Sequence, residues 1–402
     1  MREYILFDAT SYCFGPAGSL NSIVDELHSL LSEYYDFVFA GYGSSMELMR
    51  LNDNFSKLVN LDTEDFEALE SMSDLVCNAS AIVTNTNPVM AIYAKSKGKR
   101  VFVVDILPWM HNTVVNKIES VRHLKNNSQY FLRHSDSGNL LAEADIYIYQ
   151  KYLVDFELDK LYKKPFCIAP ISQIKQNENI QVKRNKLVIS TGGLFNPDVD
   201  AENVLLKFGN QIIEAAVTEG RKHCINSIVL CGPQILQNKL EYSKYDGYVS
   251  VVCLKHSDFL QIIAESEFLA IVPGLTTIYE AFLTGNPTLL LPSTNFSQIL
   301  QTEAVRKAGL GERLVCEDIF TSITAECIKA GEVDGTEKMM KHMSQCIDSG
   351  EVRRVLEKGF DQLFVSKADS EFNTKRKRRI EEMGNNGAKE AANIIYQMIS
   401  EG

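Results

Sequence analysis

The chain has 402 residues, of which 45% are hydrophobic and 23% charged, and its formal net charge is −11. One core rarely grows beyond about 250–300 residues, so two domains are expected, and so ordinary a composition excludes a disordered chain. The acidic balance excludes nucleic acid as the main partner, because covering many phosphates requires a basic face.

Along the chain, short apolar runs alternate with amphipathic stretches, the pattern of βα units and parallel sheets. A first strand is predicted at 4–8, a loop of small residues at 10–18 and a helix at 19–31. In that helix Leu20, Ile23, Val24, Leu27, Leu30 and Leu31 recur at helical spacing. Further strands are predicted at 37–40, 82–84, 101–105 and 146–149. Pro165, Pro170 and the polar run that follows mark a linker at 173–185. Beyond it, strands are predicted at 186–190, 227–231, 248–253, 268–272 and 288–291. Helices are predicted at 200–219, 258–265, 277–283 and 299–308, and from 318 onward. The expected organisation is an N-terminal domain 1–172, the linker 173–185, a C-terminal domain 186–375 and a final helical segment 376–402 free to pack back on the first domain.

The nine cysteines are scattered, with no CxxC pair and no metal-like spacing. Free thiols in a reducing compartment account for this pattern, so a cytoplasmic protein is expected. Arg2, Glu3 and Asp8 interrupt the first residues too early for a signal peptide, and no run of about 18 apolar residues is present to span a membrane. The basic run 375–379 is followed at once by Glu381 and Glu382 and reads as a solvated helix start.

Chemistry concentrates in the C-terminal half. A buried strand runs into Pro273-Gly274, and a helix then opens with Thr276 and Thr277 and carries Glu280 one turn in. Free N–H groups at a helix start accept a phosphate, helped by the positive end of the dipole. A carboxylate about 5 Å further along is placed to take two hydrogen bonds from a ribose diol. The next predicted strand leads to Asn295 and Gln298, neutral groups suited to sugar hydroxyls or to capping the following helix. Gly192 and Gly193 follow another strand, where backbone N–H groups come close to phosphates. The P-loop and GxGxxG patterns are both missing, which disfavours a dinucleotide fold.

The block 273–280, with Gly285-Asn286-Pro287, the strand 289–292, Gln298 and Lys307-Ala308-Gly309, resembles the donor site of GT-B glycosyltransferases. The likeness is to the UDP- and TDP-sugar enzymes, including plant-type UDP-glycosyltransferases and the lipid-II-forming N-acetylglucosaminyltransferase. It covers about residues 186–315; elsewhere only the architecture is shared. It implies two Rossmann-like domains with parallel sheets facing a central cleft. It also implies that Glu280 binds the ribose, Thr276 and Thr277 the diphosphate, and Gln298 a sugar hydroxyl, with the loop Leu254-Lys255-His256 near the nucleobase. No cofactor beyond the substrate nucleotide-sugar, a UDP-sugar by preference, is expected, and no metal.

Two departures from that family stand out. Val272-Pro273 replaces the histidine of the plant-type diphosphate motif. In the first loop the family carries Gly-His, with the histidine as general base, whereas Gly18-Ser19 occupies the predicted helix start here, and Ser19 is a poor base. The candidate replacements are Asp8 at the end of the first strand, Asp105 at the end of the fourth, and His111. His111 lies in a loop that also holds Trp109, the chain's one tryptophan, and suits an aromatic or nucleobase acceptor. That loop also gives a faint likeness to cytosylglucuronate-synthase-like proteins, which join a sugar to a nucleobase nitrogen. The expected function is transfer of a sugar from a nucleotide donor to a small acceptor, with inversion. The rivals are a UDP-sugar epimerase of the same fold and a non-catalytic sugar-nucleotide-binding accessory protein.

Overall fold

The computed structural model describes residues 2–11, 13–108, 141, 144–158, 162–172, 183–192, 194, 199–311, 314–316, 319–330, 332–366 and 370–401. It divides into two units, Met1–Ser172 with Gly384–Gly402, and Gln173–Met383.

The first unit holds a seven-stranded sheet. Its strands are β1 (Tyr4–Ala9), β2 (Asp36–Gly41), β3 (Lys57–Asn60), β4 (Ala81–Asn85), β5 (Val101–Asp105), β6 (Ile146–Gln150) and β7 (Pro165–Ile168). They lie in the order β3-β2-β1-β4-β5-β6-β7, every neighbouring pair parallel. β1 shows why these strands read as continuous apolar runs: Ile5 and Phe7 face one core cluster, and Leu6 faces another. The first cluster is covered by the helices Gly15–Leu31 and Gly387–Ser400, which contribute Leu20, Val24 and Leu27 and, from the second, Ala388, Ala391 and Ile395.

Two edge strands escaped the sequence pattern. β3 is exposed at Lys57 and Asn60, so it lacks the apolar run of a central strand, and β7 opens with Pro165, which reads in the sequence as a mark of the linker.

The second unit holds β8 (Lys183–Ser190), β9 (Ser227–Cys231), β10 (Val249–Val252), β11 (Ser266–Ile271) and β12 (Thr288–Leu290), again parallel, in the order β10-β9-β8-β11-β12. All five were predicted to within a few residues. β8 begins three residues earlier than expected, inside the stretch read as linker. The chain passes from β8 outward to β10, then crosses to β11 on the other side of β8. That makes the carboxyl ends of β8 and β11 a topological switch point, where open α/β sheets bind ligands.

One residue of the basic run 375–379 is not solvated. Arg376 is 1% exposed, its guanidinium lies 4.5 Å from the ring centres of both Phe282 and Phe372, and it donates to the carbonyls of Thr288 at 2.6 Å and Leu310 at 2.9 Å. A planar cation stacked between two rings and bonded to two carbonyls compensates its desolvation. This anchor keeps the helix Ser370–Met383 with the second unit, so the chain crosses back at Gly384 and not at 376.

All nine cysteines are free thiols, and no helix among the described residues is long and apolar enough to cross a membrane.

Candidate functional site

At the switch point β11 leads through the buried Val272 and Pro273 to Gly274, the N-cap of the helix Leu275–Thr284. Gly274 has no side chain to accept from the first turn, so the leading N–H groups of this helix carry no side-chain cap. Thr276 and Thr277, equivalent in the sequence, separate here. Thr276 is 5% exposed and its hydroxyl oxygen has no hydrogen-bond partner, whereas Thr277 is only partly buried. A buried hydroxyl left unsatisfied beside uncapped N–H groups is a costly arrangement unless another group completes it. Both features favour an anion at this helix tip.

Glu280 follows one turn later. Its side chain is 1% exposed, and its Oε1 lies 2.9 Å from Nε2 of His256, whose side chain is 9% exposed. His256 opens the helix His256–Glu265, next to the partly buried Leu254 and the exposed Lys255 in the loop after β10. Sequence placed this loop near the nucleobase. The structure places its histidine on the proposed ribose carboxylate, a pairing for which no spacing rule gave a signal.

On the other side of the switch point, Thr191 donates from both its backbone N–H, at 3.0 Å, and its hydroxyl, at 3.1 Å, to the carbonyl of Cys231. Gly192 follows with φ +55°, and a side chain there would meet open space. Gly193 lies outside the described residues.

Asn295 and Gln298 take the capping alternative. Asn295 is the N-cap of the helix Phe296–Lys307, its Oδ1 accepting from the N–H of Gln298 at 3.0 Å. Gln298 Oε1 reaches back to accept from the N–H of Thr294 at 2.7 Å and from its hydroxyl at 3.1 Å. This is a reciprocal cap displaced by one residue from the usual box. Both carbonyl oxygens are committed to it.

In the first unit, Asp8 has no exposed surface. Oδ2 accepts from the Thr84 hydroxyl at 2.6 Å, and Oδ1 has no hydrogen-bond partner. Burial pushes its carboxyl up to about 7, against the nearby Thr63, Thr84 and Asn87 side chains, which favour the charged form. Asp105 is also fully buried. Its Oδ1 accepts from the N–H of Leu107 at 2.8 Å, and its Oδ2 accepts from the Tyr147 hydroxyl. Burial, with Asp105 beside it, drives the Tyr147 phenol well above its ordinary value.

Ser19 does not open the first helix. The helix begins at Gly15-Pro16, because proline's fixed φ suits a first turn, and Phe14-Gly15 stand where Gly18-Ser19 were expected. Ser19 lies one turn inside, fully buried, donating to the carbonyls of Gly15 and Pro16 at 3.0 Å and accepting from Asn85 at 2.7 Å. His111 and Trp109 lie outside the described residues.

No family model matches the chain, and no curated protein does. Solved structures do. A spinosyn forosaminyltransferase aligns over 100% of both chains at 11% identity, with a TM-score of 0.55. Phytolacca americana UGT2, complexed with UDP-2fluoro-glucose and pterostilbene, aligns over 100% of both chains at 10% identity and a TM-score of 0.53. The fold is GT-B. A spinosyn rhamnosyltransferase complexed with thymidine diphosphate aligns over 99% of this chain and 100% of its own, at 12% identity and a TM-score of 0.53. Identities this low speak for the GT-B architecture alone.

Proposed function

We propose that this GT-B chain is a glycosyltransferase that binds a nucleotide-diphosphate sugar in its second unit, a UDP-sugar by preference, and transfers the sugar to a small acceptor. The observation that carries the reading is the tip of the helix Leu275–Thr284: uncapped N–H groups, the buried unpartnered hydroxyl of Thr276, and a carboxylate one turn on at Glu280. The diphosphate sits at the tip, completing Thr276, and the ribose hydroxyls bind Glu280. The solved neighbours bear on the donor class, since one is complexed with a UDP-sugar analogue and another with thymidine diphosphate.

Transfer is a single displacement. The acceptor forms its bond to the anomeric carbon as the bond to the diphosphate breaks, and the sugar inverts. Negative charge developing on the leaving diphosphate is stabilised by the N–H groups and dipole of the helix, without a metal. Asp8, Asp105 and Ser19 are sealed inside the first unit by Thr84, Tyr147 and Asn85. None of the three presents a base to an acceptor, which favours an acceptor whose attacking atom is already nucleophilic, such as a nucleobase nitrogen.

Calorimetric titration with UDP tests the donor site. Glu280→Ala should weaken UDP by about 30-fold or more, as expected for two charge-assisted bonds, and Thr276→Ala by about fivefold. Wild-type affinity in both variants would end this reading. UDP release from UDP-sugars across a panel of nucleobase and phenolic acceptors, followed by mass spectrometry, then separates an enzyme from a non-catalytic binder.

A further inference from the structure

Glu280 is the carboxylate on which ribose recognition rests, and in this structure it is closed. Its side chain is 1% exposed, and the hydrogen bond its carboxylate makes among the described residues is to His256. The imidazole already occupies Oε1, one of the two carboxylate oxygens on which a ribose diol would be held. The imidazole comes from a different element, at the first residue of the helix His256–Glu265, joined to β10 by the short loop through Leu254 and Lys255. It sits at the first residue of its helix, on an element separate from the one that carries Glu280.

We propose that His256 holds the place of the ribose on Glu280, and that nucleotide binding exchanges the imidazole for the two sugar hydroxyls. The inference rests on the reading of Glu280 as the ribose acceptor. In the exchange one bond to the carboxylate is broken and two are made, so a nucleoside diphosphate drives it, whereas a bare diphosphate at the helix tip leaves His256 in place. His256 thus determines which ligands open the site, and it lowers the affinity of every nucleotide by the work of displacing it.

The test compares UDP with inorganic pyrophosphate by calorimetry on the wild type, His256→Ala and His256→Gln. His256→Ala should bind UDP about fivefold more tightly, because the competing donor is gone. His256→Gln, which keeps an N–H donor, should stay near wild type, and pyrophosphate should bind all three alike. UDP binding that is unchanged or weaker in His256→Ala, or a parallel change in pyrophosphate, overturns the proposal. A measurement on the wild type stands apart from variant folding: diethylpyrocarbonate should modify His256 faster with UDP than with pyrophosphate, read by mass spectrometry. Protection of His256 by UDP overturns the exchange. Failure of the wild type to bind UDP, or indifference of UDP to Glu280→Ala, overturns the donor-site reading itself and is visible separately from either result on His256.

Discussion

Asp8 shows what a single buried carboxyl does to this fold. Its folded-state pKa of about 7 lies well above the ordinary value near 4, so between those limits the folded chain retains a proton that the unfolded chain has lost. Stability contributed by the protonated carboxyl is therefore complete below about pH 4 and is lost as pH rises toward 7. Over that window the loss reaches about 4 kcal/mol. Asp8→Asn, which keeps an acceptor for Thr84 and cannot ionise, should stabilise the protein at pH 8 and leave it little changed at pH 4. Urea unfolding at the two pH values measures the difference, and equal effects of the substitution at both would refute the shift. Position at a strand's carboxyl end was legible from sequence; burial and the partner Thr84, 76 positions away, were not. Arg376 has the same lesson. Five consecutive basic residues read as solvent-facing because hydropathy averages over them, and only the two flanking rings distinguish the buried one.

Among the elements, the strands were legible wherever the sheet buried both faces, since each such strand is an apolar run bounded by turns. The second sheet was predicted strand for strand, its edge strand β10 included, because that strand keeps the β-branched run Val249, Val251 and Val252 although Ser250 is exposed. β3 and β7 were missed because an edge strand is half solvated and keeps no such run. Helix starts were less legible. A proline at the first turn moved one start forward by four residues, and the residues at another were divided between cap and sugar contact. The structure gives Asn295 a capping bond, and Asn295→Ala should cost about 1 kcal/mol of stability, read by thermal or urea unfolding. The substitution should leave the ratio of UDP to UDP-sugar affinity unchanged. A selective loss of UDP-sugar binding would restore Asn295 to the sugar site.

For the molecule as a whole, the first unit is built from two separated stretches of chain. Its final helix, Gly387–Ser400, lies on the helix Gly15–Leu31 and meets the strand end at Ala169 and Pro170. Gly387 is required there, because a β-carbon at that position would lie 2.0 Å from the carbonyl oxygen of Ala169. Glu390 secures the same corner by accepting from the N–H of Ala169 at 2.8 Å. Gly387→Ala should therefore undock this helix and lower the melting of the first unit. UDP-dependent stabilisation of the second unit should remain, as two resolved calorimetric transitions would show. A single transition shifted as a block would contradict it.

The split layout of the first unit has a consequence for how the protein is made. The apolar side of the helix Gly15–Leu31 leaves the ribosome early, yet its covering helix is encoded beyond the entire second unit. Through that interval the nascent first unit exposes an unfinished core. Maturation thus runs out of sequence order, with the uninterrupted second unit able to close first and the earlier-made unit sealed only after it.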